Sequence, residues 1–428
     1  MVFLIVRFLA NGIFFISGSY IHRSMNILTR FNLRPDIRRA LAAPIGRSHI
    51  LLPAAFLVAL GLNMLTFGIV FYMADTFSST PGEIGSLSAL WSVCYLAGCF
   101  LLRPLGKRLL PRHSMIAATA SMAVSLSLVV LLQSRPLTFL LYGIAGLSTS
   151  LFFPPLMTWL ATGIEGPELN KTMARFSFSW SLGGVISPFI AGHLVEASPA
   201  YVFYACISAL LMTFLAILLV SIKLRGVKTS GAEAATQEIP EIADHSTPLR
   251  FPAWAGNFSV YVLMGTINVV FPLFAREELL LKESMIGIIM LLRALYATLG
   301  FLFFGRFVFW HFNRKFLLIL QTVLVVFSLL LMFLRSFTGF LLVLPFQGFI
   351  LSAFYSSSVF HGAVGCPERQ QRMAIHEGVL TIGVVLGSVL GGLIYQQTSI
   401  RGVFTLVMAV AGAVLLGQGV FFSRTKEP

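Results

Sequence analysis

Residues 50–74 read ILLPAAFLVALGLNMLTFGIVFYMA, a run with no charged side chain that ends at Asp75. A helix rises 1.5 Å per residue, so about 20 apolar residues cross the hydrocarbon core of a bilayer. This run is long enough to do so. Working outward from it, the same test finds eleven more. The twelve runs cover approximately 50–74, 85–102, 114–133, 137–161, 176–195, 201–222, 253–275, 285–305, 316–334, 338–362, 373–396 and 402–422. A charged, Pro-rich or Gly-rich break closes each one. No alternation of period two appears, which excludes a transmembrane β-barrel. The expected fold is all-α, a polytopic helical bundle.

Composition agrees. Of 428 residues, 57% are hydrophobic and 11% charged, with a mean hydropathy of +0.88. Soluble domains run about 45–50% apolar and about 25% charged. Too few polar side chains are present to cover a globule, so a soluble or disordered protein is excluded. The 36 glycines suit helices packed closely in lipid. Cys94, Cys99, Cys206 and Cys366 form no CxxC or zinc spacing and imply neither a metal site nor a disulfide framework.

The net charge of +14 must be located before it is interpreted. With the N-terminal side of the first span in the cytoplasm, 23 of the 30 Lys and Arg fall in cytoplasmic segments. Five lie outside: Arg135, Arg276, Lys282, Arg335 and Arg401. Under the positive-inside rule this asymmetry sets the orientation, with the core termini and central loop in the cytoplasm and the cell membrane as the expected location. A nucleic-acid partner loses its support. Residues 2–20 are apolar apart from Arg7 and Asn11. A cleaved signal peptide does not fit, because cleavage would export the six arginines between Arg23 and Arg47. A thirteenth span, an interfacial helix and a later start at Met25 all remain open.

The chain also repeats itself. A displacement of 202 sets Ile84-Gly85 on Ile286-Gly287 and Gly98 on Gly300. A displacement of 200 sets Pro167-Glu168 on Pro367-Glu368, Met173-Ala174 on Met373-Ala374, Gly183 on Gly383 and Gly192 on Gly392. Two six-span units, 50–222 and 253–428, are therefore expected, with 1–49 as an N-terminal segment. The polar stretch 223–252 joins them as a flexible cytoplasmic linker.

Six plus six spans around a long central loop resemble the major facilitator superfamily over about residues 50–422. The resemblance implies two parallel bundles with a substrate held between them near the midplane. Local signatures are looser. The family's loop motif Gly-x-x-x-Asp-Arg-x-Gly-Arg-Arg meets Gly98 and Arg103 here, but Leu102 stands in the Asp position. In the second copy, running from Gly300 to Arg306, Phe304 stands there. An ion-pair latch built on that Asp is thereby put in doubt. The exporter motif of span five, Gly-x8-Gly-x3-Gly-Pro-x2-Gly-Gly, meets Ala174, Gly183, Ser187-Pro188 and Ala191-Gly192. That register suits either close helix packing or a bend that seals one gate, and it leans toward export.

A charge inside the membrane costs at least ~2.5–3.5 kcal/mol and needs a reason. Arg293 is the only charge near the middle of any span, and its counterpart in the first copy is Trp91. The resemblance puts spans two and eight on the cavity. Arg293 then either meets an anionic or carbonyl-bearing part of the substrate or ties helix carbonyls together. For proton coupling the candidates are Glu377, beside His376, and Asp75. Glu377 could instead pair with Arg369 or Arg372. Neutral candidates for the cavity wall are Asn63, Trp91, Tyr95, Asn268, Tyr296, Gln347 and Tyr355, each of which could equally serve helix packing.

No Gly-x4-Gly-Lys-[Ser/Thr] loop occurs, and Ser356-Ser357-Ser358 beside His361 has no nearby acid to complete a triad. The expectation is therefore a secondary active transporter, not an enzyme. It would move a small organic solute by alternating access on an ion gradient of protons, need no cofactor, and act as a monomer in the lipid bilayer. A proton symporter importing an organic anion or sugar is the alternative. A membrane-embedded scramblase or enzyme and a transport-dead receptor are the readings from other classes.

Overall fold

The computed structural model describes residues 48–102, 104, 109–161, 166–223, 246–366 and 369–425. Residues 2–20, Arg103 and most of the central linker lie outside the described residues. Among the described residues twelve helices are long and apolar enough to span a membrane, and there are no strands. The first bundle holds α1 (Ser48–Phe77), α2 (Pro81–Leu101), α3 (Pro111–Leu132), α4 (Arg135–Ala161), α5 (Gly166–Ala197) and α6 (Ala200–Lys223). The second holds α7 (Arg250–Glu277), α8 (Glu283–Arg306), α9 (Arg314–Leu331), α10 (Phe337–Ala363), α11 (Arg369–Gln397) and α12 (Ile400–Arg424).

Local chemistry sets several ends. α2 opens on Pro81 with a capping box, in which Thr80 Oγ1 accepts from the Glu83 amide while Glu83 Oε2 accepts from the Thr80 amide. One expected span is not continuous. α4 breaks into Arg135–Thr149 and Phe153–Ala161. Pro154 and Pro155 lack the amide hydrogens that would carry the ladder through, so the helix restarts with both prolines in its first turn.

The repeat seen in sequence is present in packing. Within the first bundle α1 packs on α5, α2 on α4 and α3 on α6; in the second α7 packs on α11, α8 on α10 and α9 on α12. Glycines mark the same crossings in both copies. Gly183 lies against the Phe56 carbonyl and Gly383 against that of Phe258. Gly98 meets Ser150, and Gly300 meets Ser352. Gly146 meets the Trp91 carbonyl, and Gly348 meets that of Arg293. Each pair maps onto the next by the offset of 200 or 202. Small residues here let backbones approach where a side chain would hold them apart.

The two bundles meet along α2 with α11 and α5 with α8. Here too the contacts come in related pairs. Gly85 abuts the Ser388 carbonyl as Gly287 abuts that of Pro188. Gly392 abuts the Pro81 carbonyl as Gly192 abuts that of Glu283. All four lie at the end of the molecule carrying the short α1–α2, α5–α6, α7–α8 and α11–α12 turns. Arg276 of the second bundle reinforces this seam with a two-point pair to Asp75 of the first, at 2.7 and 3.0 Å. Lys282 faces Glu196 at 3.4 Å. At the opposite, basic end the same helix faces are uncovered. Eleven residues, about three turns, separate Ser388 from Glu377 and Pro188 from Ser177, which returns each to nearly the same side of its helix. Both Glu377 and Ser177 are exposed. Among the described residues the molecule is closed at the short-loop end, and the corresponding faces are exposed toward the basic end.

Candidate functional site

Arg293 projects from α8 into the second bundle's wall and is half-buried. Its Nη1 donates to Gln347 Oε1 of α10 at 3.1 Å, and its Nη2 donates to Asn268 Oδ1 of α7 at 3.0 Å. Three residues singled out separately in sequence thus form one group. The arginine is held by neither an acid nor helix carbonyls but by two side-chain amides, which satisfy geometry without neutralising the charge. The donors are not used up. Arg293 Nε and Gln347 Nε2 have no hydrogen-bond partner among the described residues. A buried donor left unpaired costs about 1–3 kcal/mol, so this group keeps unused hydrogen-bonding capacity.

Glu377 stands elsewhere on the opening, on the exposed stripe of α11. A Cβ added at the adjoining Gly378 would meet nothing within 4 Å, so the space beside it is open. Its electrostatic neighbours are Tyr95 and Cys99 of α2, Tyr261 of α7 and Tyr355 of α10. His376 turns the other way. It is buried, its Nδ1 is 2.7 Å from Ser358 Oγ, and its ring meets the edge of Tyr355 at 4.9 Å. The neighbouring His361 is tied down by backbone. Its Nδ1 lies 2.8 Å from the Ser357 carbonyl, and its Nε2 accepts the Phe312 amide at 3.2 Å.

The remaining candidates are scattered. Asn63 donates to the Ala59 carbonyl of its own helix at 2.7 Å and lies near Gly184 of α5. Trp91 packs on Tyr142 with ring centroids 4.7 Å apart, and Tyr296 packs edge-on to Phe346 at 5.5 Å. Asp75 is committed to Arg276 at the closed end instead of facing the opening. Ser187 is buried and donates back to the Gly184 carbonyl. Gly183 and Gly192 sit at helix crossings and Pro188 at the closed seam, while Arg306 is exposed at the end of α8. The Arg369 side chain is not among those described. Sequence reading missed Tyr261 and the Arg276 latch. Tyr261 lies about two helical turns from Asn268, on the same face, which was the available signal; the latch spans 201 residues of chain and left none.

Twelve membrane helices in two related bundles, with a polar group between helices at mid-depth and an opening at one end, define a membrane transporter architecture. The chain belongs to the Major Facilitator Superfamily, whose family model matches residues 51–252 and again 253–428. Among solved structures, the nucleoside transporter NupG is 14% identical with a TM-score of 0.69, covering 89% of this chain and all of that one. A POT family transporter in complex with a thioalcohol-conjugated peptide is 12% identical, TM-score 0.67, covering 89% and 96%. A bacterial homologue of the human lysosomal transporter Spinster, inward-facing and unoccupied, is 11% identical, TM-score 0.68, covering 89% and 99%. At these identities the likeness is one of fold. No curated sequence matches the chain.

Proposed function

We propose that the protein moves a small polar organic solute across the cell membrane by alternating access, driven by a proton gradient. The observation that carries this reading is the Arg293 group: a deep cation held by two neutral amides between α7, α8 and α10, with donors to spare. A carboxylate or carbonyl oxygen of the solute would complete it, since guanidinium offers a planar two-point fork to such groups. The positive-inside rule makes the basic end cytoplasmic, so the conformation described here is open to the inside. Glu377, exposed on the opening, is the proton acceptor of this scheme, with His376 behind it and Ser358 fixing the imidazole. Asn63, Trp91, Tyr95, Tyr296 and Tyr355 contribute walls. The drive needs no cofactor, and the protein acts as a monomer.

Net flux is outward in this reading, supported by the small-residue register of α5 from Ala174 to Gly192, which packs into the closed seam at Pro188 and Gly192. A second reading, symport of an organic anion with a proton, is favoured by the same Arg293, whose positive charge no acid neutralises within its hydrogen-bonded group. NupG and the POT transporter are named for nucleosides and bound to a peptide derivative, both polar organic solutes. Purified protein in sealed vesicles, given an imposed pH gradient and a panel of drugs, sugars and organic acids, tests the proposal. Solute flux that follows the gradient supports it, and the sign of that flux decides between export and symport. No flux above empty vesicles across the panel would overturn it and leave the receptor or scramblase readings.

A further inference from the structure

The loop between α8 and α9 reads Phe307-Val308-Phe309-Trp310-His311-Phe312-Asn313. Set back by 202, the first copy has Leu105-Gly106-Lys107-Arg108-Leu109-Leu110-Pro111, with two cations and no aromatic. The polar atoms of the α8–α9 loop turn inward. Trp310 is buried, and its Nε1 donates to the Phe304 carbonyl of α8 at 3.2 Å. The Phe312 amide donates to His361 Nε2 of α10, and the His311 ring stacks on Phe360 at 3.8 Å. Asn313 Oδ1 accepts from the Phe316 amide and so caps α9. The apolar side chains turn outward: Phe307, Val308, Phe309 and Phe312 are 45–68% exposed. A hydrated loop would show the reverse. Polar groups satisfied within the protein, with rings facing out, suit an apolar surrounding.

These rings continue the lipid-facing side of two helices. On α8 the exposed residues Leu299, Leu302, Phe303 and Arg306 recur at helical spacing, turned away from Phe301, whose ring meets Tyr355 at 5.4 Å. On α9 the exposed residues Lys315, Ile319, Val323 and Val326 do the same. Phe307 and Phe309 fold back onto the first stripe, with ring centroids 4.8 and 6.2 Å from that of Phe303. Each stripe is apolar until it closes on a cation at the basic end, Arg306 on α8 and Lys315 on α9. The chain from Ser284 to Pro367 holds no acid, so α9, α10 and the loop supply no charge that would repel an anion. We infer that residues 307–312 are a lipid anchor: Phe307, Val308, Phe309 and Phe312 enter the leaflet at headgroup depth, and Arg306 and Lys315 hold anionic phospholipid beside them. Aromatic rings favour that depth, and cations next to it draw anionic headgroups. The positive-inside rule makes this the inner leaflet. The inference concerns the contact with the membrane and is independent of the solute, its coupling and its direction.

Fluorescence quenching of the full chain in lipid nanodiscs tests this. Phe309→Trp and Val308→Trp each add one indole to the five native ones, and the difference from the unmodified protein is the signal. Lipid brominated near the headgroup end of its acyl chains should quench that added signal about as strongly as it quenches Leu299→Trp on the lipid-facing stripe. Acrylamide in the water should quench little of it. At equal mole fraction, brominated phosphatidylglycerol should quench at least about twofold more than brominated phosphatidylcholine. Arg306→Gln combined with Lys315→Gln should remove that preference and leave the quenching itself. A signal quenched by acrylamide and indifferent to brominated lipid in both variants would overturn the anchor. Equal quenching by the two lipids, or a preference that survives the double substitution, would overturn the anionic-lipid site at Arg306 and Lys315.

Discussion

Gly287 of α8 lies so close to the backbone carbonyl of Pro188 in α5 that any Cβ there would collide with the oxygen. Gly85 of α2 stands in the same relation to Ser388 of α11, and the offsets of 202 and 200 carry one pair onto the other. These two contacts cross between the bundles at the end that is closed. Alternating access requires that end to open, and opening separates surfaces joined by backbone and glycine together with the Arg276–Asp75 and Lys282–Glu196 pairs.

Gly85→Ala and Gly287→Ala should therefore each drive the short-loop ends apart. Overpacking costs about 1–3 kcal/mol, so the closed population should fall by roughly fivefold or more. Alanine also favours helix by up to about 1 kcal/mol over glycine, so the helices themselves should persist. Spin labels at the exposed Tyr201 and Arg401 positions would read the separation by pulsed electron resonance. Gly305→Ala, where a Cβ would meet nothing within 4 Å, should leave the distances unchanged.

Asp75→Asn removes the two-point partner of Arg276 across the same seam. The pair is partly solvent-exposed, and such pairs contribute about 0–1 kcal/mol. The same labels should therefore show a smaller shift than the glycine variants, at most about fivefold. High salt should shift the unmodified protein in the same direction, and any further shift in the variant reports screening of the exposed Lys282–Glu196 pair across the same seam.

The Arg293 group predicts non-additivity. Arg293→Leu strands the acceptor oxygens of Asn268 and Gln347, at about 1–3 kcal/mol for each one left unpaired. Asn268→Leu should lower the melting temperature in the native background and do so less, or raise it, in the Arg293→Leu background. A coupling energy of about 0.5–3 kcal/mol in that double-mutant cycle marks a shared hydrogen bond. Equal effects in both backgrounds would separate the two residues energetically.

His361→Ala should loosen the basic end of the second bundle. It removes the acceptor of the Phe312 amide, where Phe312 itself adopts a left-handed backbone at φ 52°. His311, stacked on Phe360 at 3.8 Å, would lose a fixed neighbour. An orphaned amide and a strained residue without its tie predict faster proteolysis between α8 and α9, with melting lowered by the equivalent of about 1–3 kcal/mol.

Much of this fold was legible in the chain because both of its signals are local or periodic. Twelve apolar runs mark the helices, and the constant offset of glycines such as Gly183 and Gly383 marks two copies. Which backbone each glycine touches was not legible. Gly85 and Ser388 are 303 residues apart and meet only once both bundles exist. The break in α4 was signalled by Pro154-Pro155, but apolar character runs straight through it and hid it. At the site, depth in the membrane singled out Arg293 and polarity singled out Asn268 and Gln347. Their mutual bonds depend on how α7, α8 and α10 cross. Asp75 shows the opposite outcome: a residue chosen for its acidity lies in a seam that no single helix reveals.

Apparent affinity and melting temperature measured together on Arg293→Lys and Arg293→Leu address the account most directly, with the best-transported solute of the vesicle panel as ligand. Lysine keeps the charge but loses the planar fork. The account predicts that Arg293→Lys weakens affinity about tenfold or more with melting nearly unchanged, and that Arg293→Leu abolishes binding in protein that still folds. Unchanged affinity in Arg293→Leu, with only stability altered, would contradict it.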